Sequence, residues 1–125
     1  GPALTSSQAI HAHLAPRMAT LEHEEFWLLL LDTRLRLIRE VTVSRGDLSG
    51  ATVHPREVFK HAIRECAAAV IAAHNHPSGD PSPSSEDREI TAQLAQAGEI
   101  VGIRLLDHLI IGTQGYVSFA DRGWV

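Results

Sequence analysis

Apolar residues along this chain switch between helical spacing and strand spacing, and the switches mark out its elements. Ser6 or Ser7 can cap a first helix that carries Ile10 and Leu14 on one face and that Pro16 kinks or ends. Phe26 to Leu31 is an unbroken apolar run of strand length, the pattern of a strand buried on both faces. Past the turn Asp32-Thr33-Arg34, alternation at Leu35, Leu37, Val41 and Val43 predicts a second strand, broken at Arg39. Gly46 to Gly50 reads as a loop. Pro55 then opens a helix at its first position, with Val58, Phe59, Ala62, Ile63 and Cys66 as the apolar stripe. Ala67 to His74 follows as a strand, although its alanines favour helix. Asp87 to Ala97 has helical spacing, with Ile90, Leu94 and Ala97 on the face that includes Asp87, and Gly98 as the stop. Ile103 to Ile111 supplies one or two strands, and Gly112 to Gly115 turns the chain into a last one at Tyr116 to Phe119. Such alternation predicts an α/β fold, a mixed sheet flanked by helices on both sides.

Composition narrows the class. With 125 residues and 44% hydrophobic content, residues 1–125 are expected to form a single domain with its own core. No apolar run reaches the length of a membrane span and no signal peptide is visible, so a cytoplasmic protein without membrane contact is expected. Cys66 is the only cysteine, which excludes an intrachain disulfide and reads as a buried structural thiol. A net charge of −4 argues against a high-affinity duplex-binding surface. Arg34, Arg36 and Arg39 read as a solvated face or a protected edge. Gly1-Pro2 has the look of a remnant of tag removal, which would make the chain an excised fragment.

The chemistry is concentrated in one segment, His74-Asn75-His76-Pro77-Ser78-Gly79-Asp80-Pro81-Ser82-Pro83-Ser84-Ser85-Glu86-Asp87. At the end of a strand, His74 and His76 share one face, about 7 Å apart at the Cα, and Asn75 points the other way. Two histidines and a carboxylate are a ligand set typical of a catalytic zinc site, with His74, His76 and Asp87 as the candidates here. Three prolines and Gly79 hold the intervening loop in shape. Ser84-x-x-Asp87 also approximates a helix capping box, which is compatible with ligation because a first-turn carboxylate can still face a metal. His11, His13, His23 and His61 read as surface residues, and His54 as a loop residue. His108 reads as a core histidine bonded to backbone, ahead of a role behind a metal ligand.

The pattern H-x-H-P-x₆-S-x-x-D resembles the JAMM (MPN+) metalloprotease motif, and the fuller string His74 to Ser84 resembles the RadC family. The resemblance continues in Phe26 to Thr33, in Val53 to Phe59 and in Leu105 to Gly112, and covers about Thr5 to Gly123. It implies a JAMM/MPN-like fold, a cytidine-deaminase-like α-β-α sandwich, holding Zn²⁺ on His74, His76 and Asp87. It further implies a glutamate general base ahead of the first strand; among Glu22, Glu24 and Glu25 the family's spacing selects Glu24, with Glu25 in reserve. Read without it, the three glutamates would be a solvated edge. Ser84 takes the role of hydrogen-bond donor to the oxyanion. The implied activity is zinc-dependent hydrolysis of a peptide or isopeptide bond in a protein or peptide substrate. Two alternatives stand beside it. RadC-like proteins carry a traditional DNA-repair label and usually a helix-hairpin-helix region ahead of the metal domain; that region is absent here, so nucleic-acid contact would belong to it. Related MPN domains that lack ligands are interaction modules, whereas every motif position is intact here. Deamination is excluded, since a Pro-Cys-x-x-Cys zinc set needs more than one cysteine.

Overall fold

The computed structural model describes residues 1–46, 48 and 52–125. Its architecture follows from the apolar run that forms β1 (Glu25–Leu31), in which Leu28 to Leu31 are all fully buried. Each such leucine contributes about 1.5–3 kcal/mol relative to an exposed one. Because strand side chains alternate, Leu28 and Leu30 enter one core and Leu29 and Leu31 another. A strand of this kind demands cover on both faces.

The remaining elements supply it: α1 (Ser7–Met18), β2 (Leu37–Arg45), α2 (Pro55–Arg64), β3 (Ala69–Asn75), α3 (Ser85–Val101), β4 (Arg104–Ile111) and β5 (Tyr116–Ser118). The sheet has the order β2-β1-β3-β4-β5. Only β3 and β4 are parallel, and α3 makes the crossover between them. Helix α1 lays Ile10, Leu14 and Met18 against Leu29, Leu31 and Ile71. On the opposite face, α2 and α3 bring Val58, Phe59, Ala62, Ile90 and Leu94 to Leu28, Leu30 and Val70. The result is the mixed α/β sheet with helices on both sides that the hydrophobic pattern predicts. Among the described residues, no helix is long and apolar enough to cross a membrane.

Several local expectations are corrected. Helix α1, capped by the Ser6 side chain, continues through Pro16 to the fully buried Met18. Proline so near the C-terminus removes one intrahelical bond, and the burial of Met18 holds the last turn in place. Strand β2 is not broken at Arg39; the side chain faces solvent on an edge strand and its Nη1 donates to Glu65 Oε1 at 2.6 Å. Leu35 lies outside the strand, in a turn with φ of 60°. Ile63, although inside α2, is 58% exposed, and Cys66 is an exposed free thiol because α2 ends at Arg64, before the stripe reaches it. Gly98 does not stop α3. It is buried inside the helix where the chain, turning back just before β4, comes so close that a Cβ would lie 2.5 Å from the Ile103 carbonyl oxygen, and the helix ends instead at Gly102 with φ of 76°. Of the loop expected over Gly46 to Gly50, residues 47, 49 and 50 lie outside the described residues.

Candidate metal centre

Strand β3 is paired on both sides, antiparallel to β1 and parallel to β4, and His74 sits near its C-terminal end with no exposed side-chain surface. His76 lies one residue past the strand, where its N–H donates to the Ile111 carbonyl at 2.9 Å. The loop then folds back on the β4–β5 turn: Gly79 donates to His76 O, and a Cβ at Gly112 would lie 2.2 Å from Gly79 O. Only glycine permits that approach. So the loop that separates the histidines from Asp87 is anchored at both ends.

Asp87 is brought in by the start of α3. Its N–H donates to Ser84 Oγ at 3.0 Å, and its Oδ2 accepts from Ser84 N at 2.8 Å, which completes a capping box. The same carboxylate faces both histidines, with Oδ1 3.3 Å from His74 Nε2 and Oδ2 3.3 Å from His76 Nε2. The two Nε2 atoms are 3.1 Å apart. In a tetrahedral zinc site with bonds of about 2.0–2.1 Å, ligand atoms lie about 3.3 Å from each other. Each contact is close to such an edge, with one carboxylate oxygen facing each histidine, and one ligand atom from each of His74, His76 and Asp87 lies within 4.8 Å of the others, so the three can hold a metal ion. His76 also has its Nδ1 against the Asp80 carbonyl at 2.9 Å, the usual way a protein orients a ligating imidazole.

Electrostatics agree with this crowding. Burial pushes the Asp87 carboxyl up, but hydrogen bonds with His74 and His76 outweigh it and hold the group below the ordinary carboxylate range. The Asp87 bond raises the His76 imidazole, against an opposing effect of burial. Burial, helped by the neighbouring His74 and His76 and opposed by Asp87, drives His108 well below the ordinary histidine value.

Around these donors is a cleft of about 470 Å³ lined by Glu24, Leu48, His76, Pro77, Ser84 and Asp87. Glu24 thus stands on the cleft wall. Glu25 does not; its Oε1 accepts from Trp27 Nε1 at 3.0 Å and lies 3.8 Å from Arg45. Glu22 is exposed. Ser84 is exposed at the cleft with its hydroxyl oxygen used by the cap, which leaves its proton free to donate.

Of two further residues around the site, the sequence assigns Asn75 no role and ranks the role found for His108 second. Asn75 does point away from the histidines, yet its Oδ1 accepts from Glu25 N at 2.8 Å and its Nδ2 donates to His23 O at 3.0 Å. It brackets Glu24 from both sides. His108 is not bonded to backbone through its ring. Its Nε2 is 2.7 Å from His74 Nδ1, and its Nδ1 is 2.5 Å from Thr91 Oγ1. The other histidines stand apart from the donors: His11 stacks on Tyr116, His13 pairs with Glu40, and His54 caps α2 by accepting from Arg56 N.

The family model for the RadC-like JAB domain matches residues 4–124. The chain belongs to this family. This RadC-like domain is 55% identical over 123 residues to a UPF0758 protein of Syntrophotalea carbinolica, aligning 98% of this chain with 54% of that one. It is 56% identical over 120 residues to a UPF0758 protein of Symbiobacterium thermophilum, covering 96% and 51% of the two chains. A UPF0758 protein of Methanosarcina acetivorans is 48% identical over 122 residues, covering 98% and 53%. The RadC-like domain thus spans about half the length of the curated relatives it matches.

Proposed function

We propose that this RadC-like domain is a zinc-dependent hydrolase of the metallopeptidase type, acting on a peptide or isopeptide bond. One observation carries the reading: His74, His76 and Asp87 each offer one donor atom within 4.8 Å of the others, at a cleft whose walls carry Glu24 and Ser84. His74, His76 and Asp87 would hold the ion, and three protein ligands leave the fourth position open, as in catalytic rather than structural zinc sites. Zinc bound there would act as a Lewis acid and supply a nucleophile from water at neutral pH. Glu24 would accept the proton released by that water and return it to the leaving amine. Ser84 would donate its free O–H to the oxygen on which negative charge develops.

The reading is tested by metal content. Protein supplied with micromolar zinc and then freed of excess should retain one zinc per chain by elemental analysis, and retention of none would end the proposal. A screen of peptide and DNA substrates on the same preparation then decides between peptidase and nucleic-acid chemistry.

Ser84 has two separable duties. As a cap alone, Ser84→Ala costs about 1 kcal/mol of stability with turnover nearly unchanged. As an oxyanion donor too, it should lower kcat on the order of 10²–10³-fold while zinc stays bound. We expect the second result, from thermal unfolding and kcat measured on one preparation. A loss of stability with unchanged kcat would reduce Ser84 to a cap.

A further inference from the structure

We propose that His108, fixed by Thr91, is a positioning residue that accepts a hydrogen bond from His74 Nδ1 and so presents His74 Nε2 to a metal ion. The argument is one of proton direction along four groups. Thr91 Oγ1 lies 2.8 Å from the Asp87 carbonyl oxygen, which can only accept, so the threonine proton points there. The same Oγ1 is 2.5 Å from His108 Nδ1, and with its proton already committed it must accept from that nitrogen. His108 therefore carries its hydrogen on Nδ1.

The ring of His108 is fully enclosed, packed between Phe26 and Phe119, and among the described residues neither of its nitrogens bonds a carboxylate. A second proton on it would be a buried charge without a counter-ion, which is unfavourable. Its Nε2 is thus an acceptor, and the 2.7 Å contact with His74 Nδ1 requires that nitrogen to donate. The other nitrogen of His74, Nε2, faces His76 Nε2 and Asp87 Oδ1. The neighbouring ligand reaches the same state by the common route, a backbone carbonyl at Asp80. His74 sits in a strand paired on both edges, and a neutral imidazole from β4 serves as its acceptor.

The chain of bonds is also closed. It starts at the ring of one candidate ligand and ends at the backbone of another, Asp87, one helical turn before Thr91. Rotating either imidazole would break bonds at both ends. The relay is thereby a clamp on the relative placement of β3 and α3.

The affinity part of this inference rests on the zinc reading above, whereas the tautomer part does not. Long-range ¹H–¹⁵N NMR of metal-free, ¹⁵N-labelled wild-type protein reports which nitrogen of each imidazole bears hydrogen. The expected result is a protonated Nδ1 on both His74 and His108, with a bare Nε2 on His108. A bare Nδ1 on either ring, or a doubly protonated His108, would overturn the proposal. In competition with a chromophoric chelator, Thr91→Val should bind zinc about 10–100-fold more weakly, the usual cost of losing a partner behind a metal ligand. Thr91→Ser, which restores the hydroxyl, should recover wild-type affinity, whereas a role in packing alone would not be rescued by the smaller side chain. Wild-type affinity in a folded Thr91→Val protein would also overturn it. Should wild type bind no zinc at all, the hydrolase reading fails and the NMR result still decides this one.

Discussion

Asp87→Ala is expected to abolish tight zinc binding and to weaken the metal-free fold at the same time, because one carboxylate serves both. It faces His74 and His76 and accepts the Ser84 N–H at the start of α3. Loss of zinc affinity should exceed the roughly 100-fold that removing an outer partner costs. Asp87→Asn separates the duties, since an amide oxygen can still accept from Ser84 N without supplying a charged ligand. Its metal-free unfolding midpoint should stay nearer wild type than that of Asp87→Ala, with zinc affinity lost in both. The pH dependence of the metal-free protein adds a sign that can be checked. The carboxyl of Asp87 is depressed on folding, so its contribution is present above the unfolded value of about 4 and fades as pH falls through the folded one. His76 is raised, so its contribution is full below about 6.5 and fades as pH rises through its folded value. The stability gap between wild type and Asp87→Ala should accordingly be widest between about pH 4 and 6.5, as read from denaturant midpoints across pH. A gap that grows steadily toward alkaline pH would contradict this assignment.

Glu24→Gln should keep zinc and lose turnover by about 10²–10⁴-fold, the usual range for general acid–base catalysis. The substitution preserves shape and removes only the ability to take a proton. Glu25→Gln is the matched control, because that carboxylate is occupied by Trp27 and faces Arg45. Elemental analysis and kcat on the same preparations distinguish the outcomes. Full activity in Glu24→Gln, with loss in Glu25→Gln, would move the base by one residue and sink the assignment made here.

What could be seen in the amino-acid order was whatever local chemistry controls. The run Phe26 to Leu31 announces a doubly buried strand, and His74, His76, Ser84 and Asp87 are drawn together by one short loop and one helix cap. Contacts between distant segments escaped. Gly98 has the residue type of a helix stop, yet it also answers to Phe59 of α2, a contact that its sequence neighbours do not reveal. Cys66 continues an apolar stripe past a helix end set elsewhere. Arg39 appears to interrupt a strand until its edge position and its partner Glu65 are known. The roles of His108 and Asn75 depend on partners 34 and 50 residues away, so neither has a local signature.

The position of β3 in the middle of the sheet has a temporal consequence. Amides of a central strand exchange with solvent only through large-scale opening, whereas segments just outside a strand exchange through small local fluctuations. His74 belongs to the first kind, with neighbours hydrogen-bonded on either side. Glu24 belongs to the second, lying one residue before β1 and tethered there by the Asn75 side chain and by the bond from Gly46 N to its own carbonyl. His74 and Glu24 therefore keep their places for different lifetimes: the domain can briefly release Glu24 while His74 stays fixed.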